Sequence, residues 1–268
     1  MQLNSTNSNS RDQKHFATFV LSTGRCGTQW LHHIFQKYYS SEIHCEHEPL
    51  GHDYNTRFHL HHPSAEAYYR NAPEKVRGHI DFIKNTLLKS DYIEVGHTCW
   101  GSLKYFAEIF KGRMRVIWLT RHPVALAKSW STHGLYLPVF LPHQKEKIFI
   151  HPADRGALFP QFREHWHIMS QLDKIVYYWL EVNARIEDLM GLEYLSIHHI
   201  SFESLFMAGT MSELVSFLGL QYSKEIEDDF QDRVDHFRYD PPVHDGDISI
   251  LKDGEVKALS SRLNYTLD

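Results

Sequence analysis

Arg25, Thr28, Arg121 and Ser129 are the residues of this chain best placed to hold an anion, and Glu48 and His97 are the best placed to take a proton. The first two lie in FATFVLSTGRCGTQW, residues 16–30, where an apolar strand runs through Gly24 and Gly27 into a helix opening at Thr28. A tight turn between a strand and a helix aims unpaired backbone N–H groups and the positive helix end at one point, which makes a cradle for a phosphate-like group. Arg25 adds a cation to that cradle and Thr28 a hydroxyl donor. The stretch does not read G-x-x-x-x-G-K-[ST], so it lacks the lysine and the magnesium-holding hydroxyl of a nucleoside triphosphatase loop. The anion expected here is therefore not the γ-phosphate of ATP.

A second anion-holding pair stands in VIWLTRHPVALAKSW, with Arg121 just past a strand and Ser129 two turns into the next helix. Pro123 suits the first helical turn, where no N–H is missed. A guanidinium at the helix mouth and a hydroxyl along its side can grip one phosphate together. Alone, each reads as a surface arginine or a helix serine; together with the first loop they form a pattern. Glu48, in CEHEPLGHD, and His97, in IEVGHTCW, follow two further strand-like runs and are the candidates for a general base.

Other residues invite chemistry that their spacing does not support. The chain has 21 histidines, with clusters at His44, His47 and His52 and at His59, His61 and His62. HEPLGH is not H-E-x-x-H, and Pro49 would interrupt a helix carrying both histidines on one face, so no metal is expected. Cys26 sits where a helix N-terminus lowers a thiol's pKa, but an anion held in the same loop already accounts for a small polar residue there.

These residues must be positioned by elements, and the elements read as βαβ units. Strand-length apolar runs at 16–21, 42–45, 92–95, 115–119 and 194–198 alternate with helical patterns at 28–39, 73–89, 102–110, 122–133 and 172–190. Shorter helices are expected at 211–218, 224–233 and 254–263. The fold class is α/β: one domain over 15–268 after a polar, disordered tail at 1–14, with a central parallel sheet of about five strands flanked by helices. In such sheets ligands bind outside the carboxyl ends of the strands. That rule selects 22–28, 46–52, 96–99, 120–123 and 199–203. The irregular stretches 51–63 and 134–161 are expected to wall an acceptor pocket, lined by Tyr54, Phe58, His59, Trp100, Tyr136, Phe140, Phe159 and Trp166.

A net charge of −5 argues against a binder of the nucleic-acid backbone, which needs a broad basic surface. Three cysteines without metal-like spacing fit a reducing compartment. The apolar runs are only strand-length and the N-terminus carries no signal-like segment, so a cytoplasmic protein without a membrane span is expected.

Taken in order, each at a strand-to-helix junction, the two anion-holding segments resemble those of the PAPS-dependent sulfotransferase family (PAPS is 3′-phosphoadenosine 5′-phosphosulfate). GRCGTQW is similar to its 5′-phosphosulfate loop, and R-H-P-x-x-x-x-x-S to its 3′-phosphate motif. The resemblance implies a P-loop-like sulfotransferase fold in which Arg25, Cys26, Gly27, Thr28 and Gln29 hold the 5′-phosphosulfate, Arg121 and Ser129 hold the 3′-phosphate, and Trp30 lies near the adenine. A weaker echo is HISFESLF at 199–206 with FLGL at 217–220, where Phe202 replaces the family's tyrosine. Cys26 replaces a usual serine and Gln29 a common threonine, and no R-K-G loop is found near the C-terminus, where Arg233 or Arg238 is the substitute. The departures point toward carbohydrate-type or bacterial members and away from the animal cytosolic ones.

The activity implied is transfer of a sulfuryl group from PAPS to a hydroxyl, or a nitrogen, of a small metabolite, natural product or carbohydrate, leaving adenosine 3′,5′-bisphosphate and requiring no metal. Arg25 would meet the charge growing on the leaving phosphate. Glu48 resembles the catalytic glutamate of carbohydrate-type members and is the preferred base; His97, near the cytosolic members' catalytic histidine, is the alternative. A P-loop kinase or NTPase and a nucleotide-binding, sulfotransferase-like pseudoenzyme are the competing readings.

Overall fold

A computed structural model describes residues 14–54, 57–137, 149–231 and 247–267. Residues 1–13 of the expected tail, Phe140, Arg233, Arg238 and the side chains of His52, Tyr54 and Phe58 lie outside the described residues.

Five strands form one parallel sheet in the order β2-β3-β1-β4-β5: β1 (Ala17–Leu21), β2 (Ile43–His47), β3 (Asp91–Val95), β4 (Met114–Thr120) and β5 (Ser196–Ser201). β1 is buried along its whole length and β4 nearly so. That is why both read as continuous apolar runs and not as alternating ones: helices cover both faces of a parallel sheet. Helix α1 (Thr28–Tyr39) follows β1, α2 (Ala65–Asn71) and α3 (Glu74–Thr86) lie between β2 and β3, and α4 (Leu103–Ile109) leads into β4. Helices α5 (Pro123–Ser131) and α6 (Gln171–Asp188) link β4 to β5, and α7 (Ala208–Phe217) and α8 (Gly254–Arg262) follow.

Helix α6 is buried on nearly all sides. A capping box of Ser170 and Asp173 opens it, and Asp173 also accepts the Ile250 N–H at 2.9 Å, so the C-terminal segment docks on the same cap. Midway along, Asn183 accepts the Trp118 indole N–H at 2.9 Å, tying α6 to β4.

Two expectations are corrected and one element is added. Of the expected helix 224–233, the described residues form a 3-10 helix at Lys224–Asp229 and not an α-helix, and 232–233 lie outside the described residues. β5 starts and ends later than 194–198, because its limits follow its pairing with β4, from Arg115↔Ser196 to Thr120↔Ser201, and not its modest apolar content. Between the stretch 51–63 and the helix expected at 73–89 the chain forms a further helix, α2, capped by Ser64, whose hydroxyl accepts the Ala67 N–H at 3.1 Å. Among the described residues, no helix is long and apolar enough to cross a membrane.

The chain leaves β1 toward β2 on one side, returns to pair β3 with β1, and crosses to β4 on the other side. The carboxyl ends of β1 and β4 thus open the crevice where such sheets take ligands.

Candidate active site

The turn after β1 is built for close approach. Ser22 Oγ accepts the Gly24 N–H at 2.9 Å, and Gly24, Arg25 and Gly27 take φ of 74°, 56° and 83°. A Cβ on Gly24 would lie 2.5 Å from Cζ2 of Trp130 and 3.1 Å from Cγ of His97, and one on Gly27 would lie 2.8 Å from Cδ2 of Leu205. Only glycine serves at these two positions, on both conformational and steric grounds. Trp130 holds the loop from α5 by donating its indole N–H to Thr23 O at 2.7 Å.

The loop residues have distinct parts. Thr28 is buried at the helix entry, while Gln29 is exposed. Cys26 is fully buried and donates its thiol to Gly24 O at 3.0 Å. Burial, partly offset by the Thr23 hydroxyl, pushes its pKa up to about 11, so the thiol stays protonated and only the backbone of Cys26 is available to a ligand. Trp30 donates its indole N–H to Asp229 O at 3.0 Å and packs edge-on against Phe206 at 4.8 Å, with Phe230 beside it. Trp30 therefore pins the segment after α7 to the first helix, and both its ring and its N–H are engaged.

The two segments expected to hold anions meet. Arg25 Nε donates to Ser129 Oγ at 3.2 Å, and Arg121 Nη1 donates to Arg25 O at 2.6 Å. The Arg121 guanidinium lies over the Phe202 ring, 4.5 Å from its centroid, and the Arg121 carbonyl accepts the Trp179 indole N–H at 3.0 Å. Phe202 thus supports this arginine by a cation–π contact. Arg121 Nε is buried with no hydrogen-bond partner among the described residues.

Glu48 and His97 form a pair. Glu48 Oε1 is 2.5 Å from His97 Nδ1 and accepts the His97 backbone N–H at 3.3 Å. The register His47↔Val95 brings the residues after β2 and β3 side by side. Gly96 gives the glutamate room, since a Cβ there would lie 2.5 Å from Glu48 Cγ. Burial opposes ionisation of Glu48, but the hydrogen bond and charge of His97, with the charge of His47, outweigh it and bring the carboxyl down to about 2. The His97 ring lies edge-on to Trp130 at 5.4 Å and against Phe149 at 5.6 Å. Trp130 therefore touches both the loop after β1, at Gly24, and the Glu48–His97 pair.

The C-terminal segment reaches the same end of the sheet. Tyr265 shares hydrogen bonds with Thr120 Oγ1 at 2.9 Å and Glu203 Oε2 at 3.1 Å, and His122 Nε2 donates to Thr266 O at 2.9 Å. Beside α5 a cavity of about 360 Å³ is lined by His122, Val124, Ala125, Lys128 and Thr266. On the other flank Glu181 of α6 accepts the backbone N–H groups of Leu158 and Phe159, and Arg185 joins Glu181 to Gly156 O. This fastens one of the expected pocket walls to α6.

Trp130 is a residue of the site that the sequence did not single out, and its adjacency to Ser129 was the available signal. Gly96 and Phe149 lie in stretches the sequence selected, 96–99 and 134–161, but the contacts that give them a part, with Glu48 and with the His97 ring, were not legible there. Among the described residues, no group of three or more His, Cys, Asp or Glu is arranged to hold a metal ion.

No family model and no curated protein sequence matches the chain. Solved structures do. A sulfotransferase domain from the curacin biosynthetic pathway aligns with a TM-score of 0.52 at 14% identity, covering 95% of this chain and 99% of its own. A sulfotransferase domain from the olefin synthase of Synechococcus PCC 7002 gives 0.51 at 15%, covering 96% and 98%. A sulfotransferase from Alicyclobacillus acidocaldarius gives 0.51 at 14%, covering 93% and 96%. The chain has the sulfotransferase fold, a P-loop-like α/β arrangement, over nearly its full length.

Proposed function

We propose that this chain is a PAPS-dependent sulfotransferase acting on a hydroxyl, or alternatively a nitrogen, of a small metabolite, natural product or carbohydrate. The observation that carries the reading is the junction of the two anion-holding segments through Arg25, Ser129 and Arg121, directly against the Glu48–His97 pair. A two-phosphate nucleotide suits that junction. The cradle is closed around two glycines whose Cβ positions are occupied, and a buried Arg121 Nε–H has no acceptor within the described residues.

PAPS supplies the sulfuryl group. The α1 amides, Arg25 and Thr28 would hold its 5′-phosphosulfate, and Arg121 with Ser129 its 3′-phosphate. His97 is the better proton acceptor of the pair. A carboxyl near 2 is a weak base at neutral pH, whereas a carboxylate on Nδ1 fixes the imidazole tautomer that leaves Nε2 open to accept. In this reading Glu48 is the positioning residue, and the sequence's preference between the two is reversed. His97 Nε2 takes the acceptor's proton as the acceptor oxygen bonds to sulfur and the bond from sulfur to the 5′-phosphate oxygen breaks. Arg25 and the amides at the start of α1 meet the charge left on that phosphate.

The test is transfer of labelled sulfuryl from PAPS to a panel of phenols, sugars, alkyl alcohols and amines, with Arg121→Ala alongside. Labelled product made by the wild type and lost or strongly reduced in the variant is expected. Absence of PAPS-dependent product across the panel, together with no binding of adenosine 3′,5′-bisphosphate, would overturn the reading.

A further inference from the structure

Trp130 of α5 is buried where the loop after β1 comes against the Glu48–His97 pair. Its indole meets that loop along a single edge. Nε1 donates to Thr23 O at 2.7 Å, and the next two atoms of the edge, Cε2 and Cζ2, lie 3.2 and 2.5 Å from where a Cβ of Gly24 would stand. His97 Cγ lies 3.1 Å from the same point. The indole and the imidazole thus press on one residue of the loop and, edge-on at 5.4 Å, on each other. Phe149 packs against both rings, at 5.4 Å from the indole and 5.6 Å from the imidazole.

The two units that meet at Trp130 each have bonds of their own. Within the loop, Ser22 Oγ accepts the Gly24 N–H, the Cys26 thiol donates to Gly24 O, and Arg121 donates to Arg25 O. The imidazole is turned by Glu48 at Nδ1. None of these bonds sets where the loop stands relative to the imidazole. Gly24 and His97 pack directly, but a hydrogen bond is directional in a way that packing is not, and the bond to Thr23 O comes from the indole. A phenylalanine at this position would keep a ring beside His97 and lose both the donor and the atoms lying on Gly24.

We propose that Trp130 is a positioning residue that sets the separation between the loop after β1 and the His97 imidazole, and with it the separation between the sulfuryl group and the proton acceptor. This rests on the sulfotransferase reading above. In-line transfer needs the acceptor oxygen held between sulfur and imidazole at near-contact distances, and a misplacement of about 1 Å can cost on the order of a hundredfold in rate. Trp130 acts through Thr23, Gly24 and His97 and exchanges no proton of its own.

Trp130→Phe, His97→Ala and the double variant, compared with wild type, decide the matter through kcat and KM for PAPS-dependent transfer and through stabilisation by adenosine 3′,5′-bisphosphate. Because the loop's own bonds remain, Trp130→Phe is expected to keep that stabilisation and a KM for PAPS within about threefold of wild type, while kcat falls about tenfold or more. The double variant should turn over no more slowly than His97→Ala alone, since without the imidazole the indole has nothing left to place. Full turnover in Trp130→Phe, a loss that falls on KM and on the bisphosphate response instead of kcat, or a double variant slowed by the product of the two single losses would each overturn the assignment. Should Trp130→Phe not fold, Trp130→Tyr is read in the same way, and failure of both to fold would overturn it by making the indole a requirement of the fold. A wild type that the bisphosphate fails to stabilise and that makes no product from PAPS would instead remove the sulfotransferase reading, and the role of Trp130 with it.

Discussion

His97 and Glu48 make opposite demands on one proton, and the contrast between their variants separates their roles. His97→Ala removes the proposed proton acceptor, and a loss of about 10²- to 10⁴-fold in kcat is expected. Glu48→Gln keeps an oxygen that can accept the Nδ1–H and removes only the charge, so its loss should be smaller, on the order of tenfold. If Glu48 were itself the base, the order would reverse. Steady-state kinetics on the two variants measures this directly. The same carboxylate sets a stability window. Its folded pKa is depressed, so its contribution is present above the ordinary carboxylate value, near 4.5, and is lost as pH falls toward about 2. Between those pH values the melting temperature of wild type should fall more steeply than that of Glu48→Gln, while near neutrality the wild type should be the more stable. Thermal melts across that range check the sign. Both residues were visible in the sequence as strand-end groups, but their bond was not. It depends on the β2–β3 register and on Glu48 packing where a Cβ of residue 96 would stand, and one sequence read in order shows the glycine but neither the register nor the contact.

At the scale of elements, the site hangs on the ends of strands and on what is fastened over them. Gly96→Ala would push a methyl into Glu48 Cγ without demanding a left-handed backbone, so its main effect should be displacement of the carboxylate from His97. The expected outcome is a folded variant with a loss of turnover at least as large as that of Glu48→Gln, read from far-UV circular dichroism and kcat. Glu181→Ala acts elsewhere. It leaves the N–H groups of Leu158 and Phe159, the Tyr177 hydroxyl and Arg185 without their carboxylate inside the protein. Breaking a buried pair of this kind costs about 3–5 kcal/mol, and urea denaturation should show it. The elements themselves were legible in proportion to their periodicity. Helix α1 has the limits its pattern predicts, because a glycine turn opens it and an apolar stripe runs to Tyr39. Helix α2 was missed because its AEAYYRN is too short to show a period, and its start rests on one side-chain cap from Ser64. The segment 224–233 was overread because acidic and apolar residues at helical spacing suit a 3-10 turn equally well when Trp30 and Lys37 fix Asp229 in place.

Across the whole molecule, the separate anion arms are joined by the order of strands. β1 and β4 are neighbours in the sheet though about a hundred residues apart, and that adjacency brings Arg25 to Ser129. In the proposed reading a ligand with phosphates at both ends of a ribose would bridge the two arms and bind only the folded chain, and so should shift the folding equilibrium by RT ln(1 + [L]/Kd). At a hundredfold excess over Kd this is about 2.7 kcal/mol, or roughly 5–10 °C in melting temperature for a chain of this size. Adenosine 3′,5′-bisphosphate is expected to give such a shift, and ATP with magnesium little or none. The cradle lacks the lysine of a triphosphate loop, and β4 leads into Thr120-Arg121-His122-Pro123 and not into a magnesium-holding aspartate. Adenosine 5′-monophosphate, which lacks the second phosphate, separates the arms. It should stabilise wild type weakly, and Arg121→Ala should bring the response to the bisphosphate down toward that level without abolishing it. A larger shift with ATP and magnesium than with the bisphosphate would exchange the sulfotransferase reading for a nucleotide kinase or NTPase. A response to the bisphosphate unaffected by Arg121→Ala would detach the second arm from the nucleotide.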